Sequence, residues 1–172
     1  NATYFNRKQK TVELINKFIS EGMNPKNIFT SGQSWGGWNS LRIAAFNSEL
    51  INSSIAFSPG CCDPKKNQKP DSNVAEEYKY FTYNLKSAKK INALVFSSNA
   101  DSFENPESLS FLKNIKGIKM IELPGFEEGK KIIKINGKVC KWDTHDQNNK
   151  NLTDGHYIIS SSCFEPYIQV IK

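Results

Sequence analysis

Apolar residues recur at helical spacing near the start of this chain and then condense into short runs. Between Lys8 and Glu21, the positions Val12, Ile15, Phe18 and Ile19 mark one face, which predicts an amphipathic helix packed on a sheet. Gly22, Asn24 and Pro25 break that pattern. Four short apolar runs follow, at 27–31, 54–58, 91–96 and 118–123, and each reads as a buried strand. Between them lie helical patterns at 37–46, at 74–90, and from Pro106 through Leu109 and Leu112 to Ile115. The order is α-β-α-β-α-β-α-β, and it predicts an α/β fold: a mostly parallel sheet with helices on both faces. The aromatics Tyr78, Tyr80, Phe81 and Tyr83 are expected to pack on that sheet, a lid or pocket role being the alternative.

After the fourth strand the period changes. Runs at 132–135 and 138–142 flank Asn136-Gly137, the dipeptide that best suits a two-residue hairpin turn, so an inserted β-hairpin is expected near 132–142. The chain closes with Gly155-His156-Tyr157 and a helical pattern through Phe164, Tyr167, Ile168 and Ile171. No internal repeat is visible. Residues 1–172 read as a single domain.

Composition narrows the function classes. At 172 residues and 38% hydrophobic, the chain can bury one core. No apolar run reaches the length of a membrane span. The net charge of +6 invites a nucleic-acid partner. Yet the lysines are scattered, with only short pairs such as Lys65-Lys66, Lys89-Lys90 and Lys130-Lys131, and no basic face or aromatic-interleaved stripe. That distribution speaks against nucleic acid. Cys61, Cys62, Cys140 and Cys163 lack both C-x-x-C spacing and paired histidines, which speaks against zinc. Their even number is compatible with one or two disulfides in an exported or periplasmic protein. Cys163 could equally be a buried small hydrophobe, so a cytoplasmic location stays open. Asn52-Ser53-Ser54 and Asn151-Leu152-Thr153 both fit the glycosylation acceptor pattern.

The chemistry lies at Gly32-Gln33-Ser34-Trp35-Gly36, set between a strand run and a helix run. In that context G-x-S-x-G is a nucleophile elbow, a sharp turn that pushes the Ser34 hydroxyl out of the sheet. Gly32 and Gly36 are expected to be places where a Cβ would collide with a neighbouring element. Asp101 follows the third strand run, and His156 lies after the fourth. Functional groups of open α/β sheets collect at such strand ends. Ser34, Asp101 and His156 then form a triad in the chain order this fold uses. A serine hydroxyl is too weak an acid to attack an acyl carbon unaided, so His156 would take its proton. Asp101 would hold the imidazole in the right tautomer. The backbone N–H of Trp35 would be the first oxyanion donor.

Each residue has a plainer competitor. Glu104 is the alternative carboxylate, less well placed for a strand-end turn. His145 is the other histidine. Its setting, Asp143-Thr144-His145-Asp146, allows a metal reading, although a polar hairpin flank explains it more simply. Cys61-Cys62 follows the second strand and could touch the rim of the site, the structural alternative being half of a disulfide.

Taken together, Gly32-Gln33-Ser34-Trp35-Gly36-Gly37, the turn from Ser97 to Asp101 before Pro106, and Gly155-His156-Tyr157 resemble the α/β-hydrolase superfamily, near its dienelactone-hydrolase-like and prolyl-oligopeptidase-like branches. That resemblance implies a serine hydrolase acting on carboxylic esters, or on thioesters or peptides, through an acyl-enzyme. It implies Ser34, Asp101 and His156 as the triad, a small-molecule ester or acyl substrate, and neither cofactor nor metal. Dienelactone hydrolase itself carries a cysteine nucleophile, where this chain has Ser34. Family members also have strands before the elbow and a His-Gly-type loop that gives a second oxyanion donor. Upstream of Gly32 this chain has Gly22, no histidine and one helix. It is therefore expected to lack the N-terminal strands, to be truncated at its C-terminus, and to show an exposed sheet edge. The competing function is a non-catalytic binding domain of the same fold, which Ser34→Ala would separate from an enzyme.

Overall fold

Strands β1 (Phe29–Gln33), β2 (Ser53–Phe57), β3 (Ala93–Ser98) and β4 (Ile118–Leu123) lie side by side in chain order, and every neighbouring pair is parallel. The computed structural model describes residues 4–60, 80, 82–127, 133–140, 162–165 and 167. Side chains alternate across the sheet, as the pleat requires. Ala56 and Val95 join the core beneath helices α1 (Tyr4–Ser20) and α2 (Trp35–Phe46), together with Trp38, Leu41 and Leu85. Phe57 and Phe96 belong to a second cluster with Leu123, Ile133, Ile135 and Phe164. Helix α2 buries an unbroken stretch from Gly37 to Ala44, which suits an element held between the sheet and α1.

The expected hairpin is present as β5 (Lys134–Ile135) and β6 (Lys138–Val139), joined by Asn136 and Gly137 at φ 51° and 79°. Two successive positive φ values are what a type I′ turn needs, and Asn-Gly supplies them at little steric cost. A disulfide joins Cys140, at the end of the hairpin, to Cys163, with Cα atoms 5.1 Å apart. Both residues are buried in the second cluster. Cys163 is thus both a core residue and half of a crosslink.

Several boundaries move. The first strand begins at Phe29 because Pro25–Asn27 forms a 3-10 turn, capped where the Asn24 side chain accepts from the Lys26 N–H at 2.9 Å. The third runs on through Ser97 and Ser98, whose hydroxyls donate to the Glu104 and Pro124 carbonyls. The helix expected from Pro106 is instead a set of turns ending in a 3-10 segment, Ser110–Asn114. Side chains compete with the helical ladder there: Asn105 Oδ1 accepts from the Ser108 N–H, and the Ser108 hydroxyl donates to Glu104 Oε2 and to the Asn105 carbonyl. Tyr80 and Tyr83 do not pack on the sheet; they are exposed, while Thr82 and Leu85 face inward. Tyr78 and Phe81 lie outside the described residues.

Asn52, part of one acceptor pattern, donates its side-chain amide to the Lys26 carbonyl, and Ser54 of the same pattern is fully buried. Asn151 lies outside the described residues. Where α1 packs on α2, burial lowers the pKa of both Lys8 and Arg42. Their mutual repulsion lowers Lys8 further, while Glu49 raises it; Tyr80 partly opposes the shift at Arg42. Among the described residues no helix is long and apolar enough to cross a membrane.

Candidate active site

The turn from β1 into α2 turns at Ser34, whose backbone sits at φ 55°, ψ −125°. That region is natural for glycine and strained for any residue with a Cβ. Two hydrogen bonds hold it there. The Ser34 N–H donates to the Phe57 carbonyl at 3.0 Å, and the Ser34 carbonyl accepts the first bond of α2 from the Trp38 N–H, also at 3.0 Å. A buried ladder of hydroxyls braces the same three elements. Ser54 Oγ donates to the Ser40 carbonyl at 2.7 Å, so its single proton is spent, and Thr30 Oγ1 must be the donor across the 2.6 Å contact to Ser54 Oγ.

Glycine is needed here, though not entirely where expected. A Cβ on Gly32 would press into the backbone of Gly36, coming within 2.6 Å of its carbonyl oxygen. A Cβ on Gly36 would meet nothing within 4 Å, so the expectation of a collision there is wrong. The second tight position is Gly37, where a Cβ would lie 2.9 Å from the Gly32 carbonyl oxygen and 3.3 Å from that of Phe57. The paired Gly36-Gly37 was the available signal. It is the second glycine that lets α2 settle onto β1 and β2.

Trp35 is the first residue of α2, so its amide stands at the helix N-terminus immediately beside Ser34. Its side chain is half-buried against the core, and Trp38 is wholly buried beside Phe111. Both tryptophans therefore serve packing.

Asp101 lies three residues beyond β3, at the same end of the sheet as Ser34. It is 4% exposed, and its Oδ1 accepts from the Phe103 N–H at 2.8 Å and the Glu104 N–H at 3.0 Å. The turn that presents it is fixed from behind, where the Asp101 N–H donates to the Ser98 carbonyl and Ser98 Oγ accepts from the Ala100 N–H. Glu104 is buried as well, with Oε2 accepting from Ser108 Oγ at 2.7 Å. Its carboxylate is thus engaged in the following turn. One strand, β2, separates β1 from β3, so the two strands that lead into the turns bearing Ser34 and Asp101 run about 10 Å apart.

Ser58 is a feature that residue patterns did not reveal. It follows β2 as Ser34 follows β1, has φ 41°, and donates its N–H to the Phe96 carbonyl at 2.8 Å. Among the described residues its buried hydroxyl has no hydrogen-bond partner. His156, His145, Cys61 and Cys62 lie outside the described residues. Among the described residues, no three His, Cys, Asp or Glu side chains converge as a metal site would require.

No family model matches the sequence, and no curated protein matches it significantly. Solved structures do resemble it. An N-acyl homoserine lactone degrading enzyme superposes with a TM-score of 0.50 at 10% identity, over 72% of this chain and 67% of that one. A monoacylglycerol lipase from Paleococcus ferrophilus gives 0.49 at 16%, over 71% and 65%. Arabidopsis thaliana SOBER1 gives 0.47 at 20%, over 73% and 56%. At 10% identity the first likeness speaks to the fold alone. The chain has the α/β-hydrolase architecture in part, and it spans 56% to 67% of the length of these three proteins.

Proposed function

We propose that this chain is a serine hydrolase of carboxylic esters that works through an acyl-enzyme, with Ser34 as nucleophile, His156 as base and Asp101 as the orienting acid. The observation that carries this reading is the backbone of Ser34. A serine is held at a dihedral pair suited to glycine, at the strand–helix turn where an elbow belongs, and on the same sheet end as a buried aspartate. Strain of this kind costs about 1–3 kcal/mol and persists where surrounding structure over-determines it, as at active sites. Only one strand separates the two strands that lead into these turns, an arrangement that suits one imidazole bridging both side chains. Two backbone amides fix Asp101 through Oδ1 and so hold its carboxylate in the turn after β3.

In the first half-reaction Ser34 Oγ attacks the ester carbonyl carbon while His156 takes its proton. The tetrahedral oxyanion is met by the Trp35 N–H, a kind of donor that contributes about 2.7–4 kcal/mol. Collapse expels the alcohol, which leaves with the proton from His156. Water then repeats the sequence and releases the acid. The shared fold supports the class, for the neighbours include a lipase and a lactone-degrading enzyme. The segments around Ser34 and His156 favour the dienelactone-hydrolase-like or prolyl-oligopeptidase-like branches.

The test is a fluorophosphonate probe with the modified residue mapped by mass spectrometry. Labelling at Ser34 that disappears in His156→Ala is the expected result. A folded protein that takes no label would mean a binding domain instead.

A further inference from the structure

We infer that Ser58 is a positioning residue for the proposed nucleophile, an assignment that rests on the hydrolase reading above. It acts through the backbone, from the strand next to the elbow. The peptide unit between Phe57 and Ser58 is bonded on both sides: its carbonyl accepts the Ser34 N–H at 3.0 Å, and its N–H donates to the Phe96 carbonyl at 2.8 Å. Strand β2 ends at that unit, where Ser58 turns the chain at φ 41°. The turn brings Pro59 against the start of α2. A Cβ on Gly37 would lie 3.3 Å from the Pro59 α-carbon, and 3.3 Å from the Phe57 carbonyl oxygen as well. Ser58, Pro59 and Gly60 are all buried. One corner therefore meets the elbow twice, at the Ser34 amide and, three residues later, at Gly37.

The strain at this corner is imposed by its surroundings. Short polar residues that adopt positive φ for local reasons commonly bond nearby backbone through the side chain. Ser58 is 1% exposed, and among the described residues its Oγ has no partner. What holds its φ is the pair of sheet bonds on one side and the packing of Pro59 on the other. A residue with a Cβ has only a small allowed region at positive φ, whereas glycine ranges widely there. Ser58 thus keeps the corner, and with it the Phe57 carbonyl that receives the Ser34 N–H, in one narrow setting. Its Cβ does this, and its hydroxyl does not.

A corner that served the fold alone would gain from glycine and leave chemistry unchanged. One that positions the nucleophile turn would gain stability and lose rate, since misplacing a catalytic group by about 1 Å can cost on the order of 10²-fold. The experiment compares the full chain with its Ser58→Gly and Ser58→Ala variants. The readings are fluorophosphonate labelling rate at Ser34, kcat and KM on a p-nitrophenyl ester, melting temperature, and amide hydrogen exchange. In Ser58→Gly we expect labelling and kcat to fall at least about tenfold, with KM within about twofold and the melting temperature no lower. Exchange at the Ser34 and Trp38 amides should quicken at least about tenfold, while the Asn99 amide, bonded to the Leu123 carbonyl beyond β3, keeps its protection. Ser58→Ala keeps the Cβ without the hydroxyl, and its labelling, kcat and exchange should stay within about threefold of the parent.

Parent-like labelling and exchange in Ser58→Gly would overturn the positioning role. Equal slowing in both variants would overturn it too, by moving the effect to the hydroxyl. So would a Ser58→Gly chain that melts earlier than the parent, which would assign the corner to stability. A parent chain that takes no label would sink the hydrolase reading itself, a distinct result, and exchange at the Ser34 amide would then decide whether the corner holds that turn.

Discussion

Gly32 and Gly36 pack backbone against backbone, so closely that a methyl group on the first would sit 2.8 Å from the α-carbon of the second. The contact is one-sided, because the same methyl on Gly36 points into open space. Gly32→Ala should therefore cost at least about 2–3 kcal/mol, as overpacking against rigid backbone does. Gly36→Ala should instead be neutral or stabilising by up to about 1 kcal/mol, the usual gain over glycine in a helix. Urea unfolding of the two variants checks the pair. Equal losses would mean that the turn is not as described.

Ser34 and Ser58 both hold positive φ, and relief of that strain should be measurable. Ser34→Gly is expected to raise stability by about 1–3 kcal/mol while abolishing labelling and turnover. Ser58→Gly removes both a strained φ and a buried hydroxyl lacking a partner, so it too should stabilise. Thermal unfolding decides; a Ser34→Gly variant less stable than the parent would contradict the strain.

Asp101 has two roles that one substitution can separate. Asn can still accept from the Phe103 and Glu104 amides, so Asp101→Asn should keep the turn and shift the melting temperature little. It cannot favour the imidazolium or the same tautomer, and kcat should fall about 10³–10⁴-fold. A turnover within a few-fold of the parent would leave Asp101 as a turn residue only.

The hydroxyl ladder predicts coupling. Ser54→Ala removes the side-chain donor to the Ser40 carbonyl and the acceptor of the Thr30 hydroxyl together, and should cost about 1–3 kcal/mol. In a double-mutant cycle with Thr30→Val the two losses should fall short of additivity by about 0.5–1.5 kcal/mol. Strict additivity in chemical denaturation would break the ladder.

Strands with a mostly apolar run were legible in the chain itself, and β4 falls where its run predicts. Polar strand residues were not. Ser97 and Ser98 read as loop, and only the Glu104 and Pro124 carbonyls, distant in sequence, show how their hydroxyls are satisfied inside β3. The stretch after Pro106 misled for the opposite reason. Leu109, Leu112 and Ile115 have helical spacing, but i→i+3 bonds such as Leu112 to Leu109 and Ile115 to Leu112 satisfy it in tighter turns. At the site, the strand–turn–helix context marked Ser34, while Ser58 carried no motif because its strain and its orphan hydroxyl exist only once β2 lies beside β3. The pairing of Cys140 with Cys163 was equally invisible, since four cysteines allow three full pairings and spacing chooses none.

With β1 to β4 lying side by side in chain order, each strand leaving the ribosome can add to an edge already formed. On the proposed assignment the nucleophile turn is made first, the acid arrives with the end of β3, and the base comes only after β4. A half-made chain therefore already has its elbow, yet Ser34 in it is an ordinary alcohol. On that assignment the order of synthesis acts as an interlock, since the base that would activate the serine is the last of the three to be made.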